Sequence, residues 1–288
     1  MTLENDYLKL EIVSLGAELK SVFKKGIQKE VLYQGDSPFW NRSSPVLFPI
    51  VGKLKDNFYH LEDREYVLGQ HGFARDFDFE QLEKKSNLVR FSLKYSEVSL
   101  EKYPFKFELK ISYRLILNRV EVNYEVCNID SKTLPFSLGA HPGFTCPVFE
   151  NERFEDYYLE FEHQENLERH LLNTSSGLFN GEKELVLIDS NHLDLDYSYF
   201  EKDALVFKNM KSMWIKLRSK KSDYCLKFSF ENYPSFGIWT KAQAPFICLE
   251  PWFGLADSEN SSGVFTEKEG MIFLAPSEKF ECAFSFEV

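Results

Sequence analysis

Between Phe105 and Leu117 every second residue is apolar: Phe105, Phe107, Leu109, Ile111, Tyr113, Leu115 and Leu117, with Lys106, Glu108, Lys110, Ser112 and Arg114 set between them. A period of two gives an extended strand one face for a core and one for water. After a turn at Asn118-Arg119 the pattern resumes with Val120, Val122, Tyr124 and Val126, which predicts a hairpin. The same texture returns at Leu8/Leu10/Ile12, Leu88 to Tyr95, Met213 to Leu217, Leu226/Phe228/Phe230 and Phe280 to Phe286. Helical periodicity is weak, and short helices are expected only at Ser99 to Tyr103, Leu193 to Phe200 and Glu259 to Phe265. Many strands, short polar turns and no strand–helix rhythm predict an all-β fold, a large antiparallel β-sandwich with a few short helices. No linker, charge block or internal repeat divides the chain, so residues 1–288 are expected to form a single domain.

The core of such a sandwich has to be filled, and aromatic residues at 16% of the chain are well suited to it. With 34 basic and 45 acidic residues the net charge is −11, which repels a phosphate backbone. The longest basic cluster, Lys216 to Lys221, reads as a solvated turn, so no nucleic-acid partner is expected. No apolar run approaches the roughly 20 residues of a membrane span, and the N-terminus lacks a basic, then apolar, leader pattern. Cys127, Cys146, Cys225, Cys248 and Cys282 are odd in number and lack zinc-type spacing. They read as small hydrophobes in a reducing compartment, and the expected location is cytoplasmic.

His60, His163, His170 and His192 sit among polar neighbours and read as surface residues. His71 stands apart in Gln70-His71-Gly72-Phe73-Ala74-Arg75-Asp76, an aperiodic loop. His141 closes the apolar run Phe136-Ser137-Leu138-Gly139-Ala140 and precedes Pro142. A proline holds the residue before it extended and removes a ladder donor, so the strand is expected to end at His141, on the rim of the sheet. Phe246-Ile247-Cys248-Leu249-Glu250-Pro251 repeats the device with Glu250, the only charge in its run. An acid in an apolar strand is either neutralised by a neighbour or kept for chemistry. Gly139 and Ser137 share a face with His141, and their small size is expected to leave room there for a ligand. Lys53 follows a third apolar stretch, Val46 to Val51, and Gly52. On residue types alone, His141 could be a core histidine, Glu250 an ion-pair partner and Lys53 a plain surface charge. His71, His141 and Glu250 could also be a two-histidine, one-carboxylate metal set.

Four segments in order resemble the aldose 1-epimerase (galactose mutarotase-like) family: Phe48-Pro49-Ile50-Val51-Gly52-Lys53, His71-Gly72-Phe73-Ala74-Arg75, Gly139-Ala140-His141-Pro142-Gly143-Phe144 and Cys248-Leu249-Glu250-Pro251-Trp252-Phe253-Gly254-Leu255-Ala256-Asp257. The likeness extends over essentially the whole chain and is nearest the branch of hexose-6-phosphate mutarotases and their bacterial relatives. It implies a galactose mutarotase-like sandwich that binds a hexose or hexose phosphate and interconverts its α and β anomers without metal or cofactor. Glu250 corresponds to the family's base, His141 to its acid and His71 to a second histidine on the sugar. Asp203 is the candidate for the hydroxyl-binding aspartate. Lys53 stands where the family commonly has arginine, which offers a fork that lysine lacks. Arg75 is placed to meet a phosphate or to pair with Asp76, and Phe144, Trp252 and Phe253 are expected as groove walls. The alternative is a catalytically weak carbohydrate-binding or regulatory sandwich.

Overall fold

The Phe105–Leu117 pattern becomes the strand Phe107–Ile116, paired antiparallel with Arg119–Asn128 from Phe107 opposite Asn128 to Ile116 opposite Arg119 in a computed structural model that describes residues 1–36 and 38–288. Phe107, Leu109, Ile111, Tyr113 and Leu115 are buried as the period requires. The turn falls on Leu117-Asn118, one residue earlier than expected. Leu117 takes φ 52° and is 62% exposed, so the last apolar residue of the series leaves the sheet.

Both strands belong to a 15-stranded antiparallel sheet. One end of its order runs through Val46–Leu47, Leu138–Ala140, Phe246–Phe253, Ser235–Trp239, Leu205–Lys208 and Tyr157–Leu172. The order continues through Trp214–Ser219, Cys225–Ser229, Lys279–Glu287, Arg119–Asn128, Phe107–Ile116, Leu88–Lys94 and Glu80–Lys84. A twisted sheet wider than about ten strands curls or splits, and here the two ends face one another. Phe48, beside the first strand, lies 4.9 Å from Phe107 near the opposite end, and Phe228 contacts Phe236 at 6.0 Å and Phe144 at 5.8 Å. These cross-layer ring contacts are the core of the expected sandwich.

The helix expectations fare unevenly. Glu97–Lys102 is helical, begun by Ser96, whose side chain accepts the Ser99 N–H at 3.2 Å. Leu193 and Asp194 instead complete the strand Phe179–Asp194, opposite Leu159 and Tyr158, and only Tyr197–Phe200 makes a 3-10 turn. Glu259 to Phe265 is not helical, its middle being Asn260-Ser261-Ser262-Gly263, and a 3-10 turn begins at Phe265. Among the described residues no helix is long and apolar enough to cross a membrane.

Candidate active site

One break in the sheet creates the site. Leu138–Ala140 pairs with Phe246–Phe253 at Trp252 and Phe253, then Gly143–Thr145 pairs with the same strand at Phe246 to Cys248. His141-Pro142 occupies the gap, so the first strand ends at Ala140 as the proline predicts. The second strand does not end at Glu250: it continues through Pro251 to Phe253. Leu249 N–H points to Pro142 O at 3.2 Å. Two residues on, the N–H that Pro251 lacks would face the same side, where the neighbouring chain has left the ladder. Proline is tolerated in mid-strand because no acceptor waits for it.

Glu250 and His141 meet across this gap. His141 Nε2 lies 3.1 Å from Glu250 Oε2, yet the approach lacks hydrogen-bond alignment: among the described residues neither Glu250 Oε2 nor His141 Nδ1 has a hydrogen-bond partner. Glu250 is 1% exposed and His141 8%. Burial, reinforced by the negative charge of Asp203, pushes the Glu250 carboxyl well above the usual carboxylate range, while the Trp252 indole N–H works the other way. Burial lowers His141 to about 3, with Arg75 adding to the fall. Burial thus disfavours the charged form of each group, and a single proton on the pair is held more readily by Glu250 than by His141.

His71 reaches the same place from a loop. It has φ 66°, and Gly72 beside it, at φ 70°, has no room for a Cβ, which would fall 2.3 Å from Phe48 O. Gly52 N–H donates to His71 Nδ1 at 3.1 Å, so Nδ1 is an acceptor and the ring proton sits on Nε2, where the Gln70 side-chain amide, 3.3 Å away, accepts it when turned to present its oxygen. Burial, with the nearby His141 ring, holds His71 well below the usual histidine range, which keeps it a neutral donor. This use of Nδ1 also removes His71 from the metal set weighed above. The His71 and His141 rings meet edge to face at 5.7 Å.

These residues open on a cavity of about 700 Å³ that is also lined by Arg75, Asp203 and Trp252. Asp203 sits at φ 72°, its Oδ1 accepting the Ala204 N–H at 2.8 Å. Arg75 donates to Gln70 O at 2.7 Å, and among the described residues its Nε has no hydrogen-bond partner, Asp76 being 4.0 Å away. Trp252 covers Gly139 and Gly237, where an added Cβ would come within 2.7 Å and 2.5 Å of its indole. Gly139 beside His141 thus seats this tryptophan rather than leaving space for a ligand.

Three expected binding residues lie elsewhere. Phe144 is fully buried against Phe228 and Phe286, because it pairs with Ile247 on the core side of the strand, opposite the side of Glu250 and Trp252. Phe253 shares that core side and packs on Tyr233 and Phe280. Lys53 does not line the cavity: beyond the turn at Gly52, φ 73°, its stem lies against Gly177. Sequence reasoning missed Trp40, Trp239, Arg42 and Lys241, all on the cavity wall. Trp40 tilts over His141 at 4.7 Å and Trp239 meets it at 5.6 Å, so three of the four tryptophans surround the site. The available signal was Phe39-Trp40-Asn41-Arg42, two rings and a cation in a stretch without periodicity.

Comparison with known proteins finds relatives along the whole chain. The family model described as Aldose 1-epimerase matches residues 1–279. The chromosomal protein LacX of Lactococcus lactis subsp. lactis is 36% identical over 283 residues, which cover 95% of this chain and 94% of LacX. A galactose mutarotase related enzyme from Lactobacillus acidophilus superposes with a TM-score of 0.95 at 34% identity, covering 100% of this chain and 96% of that one. A galactose mutarotase-like protein from Lactobacillus casei ATCC 334 gives a TM-score of 0.93 at 32% identity, with 100% and 99% covered. The chain belongs to the aldose 1-epimerase family.

Proposed function

We propose that the protein is a mutarotase that interconverts the α and β anomers of a hexose in this cavity, with Glu250 and His141 moving the protons. The observation that carries the reading is the buried His141–Glu250 pair, which presents one acidic and one basic function, 3.1 Å apart, to a cavity able to hold a sugar ring. Ring opening needs a proton taken from the C1 hydroxyl and a proton given to the ring oxygen as the C1–O5 bond breaks. Rotation about C1–C2 and closure with the two roles reversed gives the other anomer. A pair that holds one proton is restored by each full passage.

In the empty site that proton rests on Glu250. A bound sugar's C1 hydroxyl donates toward the carboxylate and its ring oxygen accepts from the imidazolium, so binding draws the proton to His141. Glu250 is then the base and His141 the acid. His71 Nε2–H donates to the sugar and steadies charge at the ring oxygen. Asp203 accepts a sugar hydroxyl, and the faces of Trp239 and Trp252 pack on sugar C–H groups.

The substrate carries an anionic group such as phosphate. Arg42, Arg75 and Lys241 line the cavity together with the carboxyl groups of Asp203 and Glu250, and among the described residues Arg75 Nε has no hydrogen-bond partner. Polarimetry on freshly dissolved α-anomers of free and 6-phosphorylated hexoses tests both parts. Mutarotation is expected in the wild type and reduced about 10²–10⁴-fold in Glu250→Gln and His141→Ala, with phosphorylated sugars equilibrating faster. Binding of a hexose without any acceleration would instead favour a sugar-binding protein, and a preference for free sugars would remove the anionic group.

A further inference from the structure

Besides Glu250, the strand Phe246–Phe253 brings a thiol to the His141 ring. Cys248 precedes Glu250 by two residues, so both side chains leave the strand on the same face. Cys248 is fully buried, and one ligand-capable atom from each of His141, Cys248 and Glu250 lies within 4.8 Å of the other two. Glu250, 1% exposed, turns an oxygen without a hydrogen-bond partner into this group, with His141 Nε2 3.1 Å away. The proton chemistry above uses the imidazole and the carboxyl and leaves the sulfur without a role.

An imidazole nitrogen, a sulfur and a single carboxylate oxygen suit a borderline-soft cation, whereas Mg²⁺ and Ca²⁺ prefer sites made of oxygen alone. Ligands of a tetrahedral zinc ion, at about 2.0–2.3 Å from the metal, stand about 3.3–3.8 Å from one another. His141 Nε2 and Glu250 Oε2, 3.1 Å apart, already stand near that spacing, and the Cys248 sulfur, within 4.8 Å of both groups, needs to close by no more than about 1–1.5 Å.

We propose that His141, Cys248 and Glu250 form an inhibitory site for a divalent cation of the zinc class, with its fourth position open to the cavity. The bound ion occupies the lone pairs of His141 and Glu250 and stops anomer exchange. That consequence rests on the mutarotase reading, while the binding itself does not.

Titration of the full chain with Co²⁺, which reports thiolate ligation by a sulfur-to-metal charge-transfer absorption, tests the site directly. One equivalent is expected to produce the band, Zn²⁺ to displace it, and Mg²⁺ to leave it unchanged. In Cys248→Ala and Cys248→Ser the band is lost, and Zn²⁺ inhibition of mutarotation weakens by at least about tenfold, since even residues that only support a metal ligand are worth about 10–100-fold in affinity. Cys127→Ala, which alters a partly buried thiol on the strand Arg119–Asn128, keeps the band. Absence of the band in the wild type, its survival in the Cys248 variants, or equal Zn²⁺ inhibition of wild type and variants would overturn the proposal. A protein that shows the band but no mutarotation would keep the site and remove the proposed function.

Discussion

Gly52 holds His71 at two points: its carbonyl accepts the His71 N–H at 2.8 Å, and its N–H donates to His71 Nδ1 at 3.1 Å. One residue thereby sets both the backbone and the tautomer of a histidine 19 positions away in the chain. Gly52 can do so only as glycine, because its φ is 73° and an added Cβ would lie 2.5 Å from Ala256. Gly52→Ala is expected to lower stability by about 1–3 kcal/mol through backbone strain and overpacking. Its mutarotation rate falls toward that of His71→Ala. Thermal melts and initial rates measured on the same preparations check this, and a variant with both values unchanged would show that Gly52 does not position His71.

The pH profile follows from the two shifts at the centre. His141 gains a second proton for the pair only near pH 3, and Glu250 loses the single proton only well above the ordinary carboxylate range. The working one-proton state therefore spans the interval between them. Rate per unit of free enzyme, kcat/KM, is expected to stay level through pH 6.5, where an ordinary histidine titrates, and to fall on the alkaline side as Glu250 ionises. An inflection near pH 6.5 that is absent in His141→Ala would contradict this.

Behind the cavity, Lys268 Nζ donates to Asp257 Oδ1 at 2.9 Å and to Leu255 O at 2.5 Å, with side-chain exposures of 2% for Lys268 and 4% for Asp257. Asp257 also accepts the Lys55 N–H at 3.0 Å and binds the backbone of Lys53 and Phe179, which ties the Gly52 turn to the long hairpin beside the cavity. Lys268→Met leaves a buried carboxylate without its cation and is expected to cost about 3–5 kcal/mol. Denaturant unfolding measures it, and a loss below about 1 kcal/mol would show that the pair is not structural.

Trp239 contributes a wall rather than a proton. Trp239→Ala is expected to raise KM about 2–10-fold, the equivalent of about 0.5–1.5 kcal/mol for an aromatic contact, with a smaller change in kcat. Quenching of tryptophan fluorescence on sugar addition, weakened in Trp239→Ala, gives a second readout. A variant that lost kcat at constant KM would point to positioning of His141 instead.

Much of this was legible in the sequence because period two and proline are local signals. The strand before His141 ends at Ala140, as Pro142 leads one to expect, and Glu250 stands out as the only charge in an apolar run; both meet at one cavity. What was not legible depends on partners remote in the chain. Phe144 follows a two-residue break, so the face it takes is set by its pairing with Ile247 and not by counting from Ala140. Glu250 lies within its strand because the gap opposite Pro251 belongs to another segment. Gly139 reads as open space until Trp252 fills it from the neighbouring strand. Trp40 and Arg42 reach the site from a loop about a hundred residues before His141, and no local pattern marks them as part of it.

Anomer-exchange NMR on a hexose or hexose 6-phosphate, with wild type and Glu250→Gln at equal concentration, tests the central claim most directly. Wild type is expected to give exchange cross-peaks between the α and β C1 protons, and Glu250→Gln, folded by circular dichroism, to reduce the exchange rate about 10²–10⁴-fold. Equal exchange in the two proteins would contradict the account.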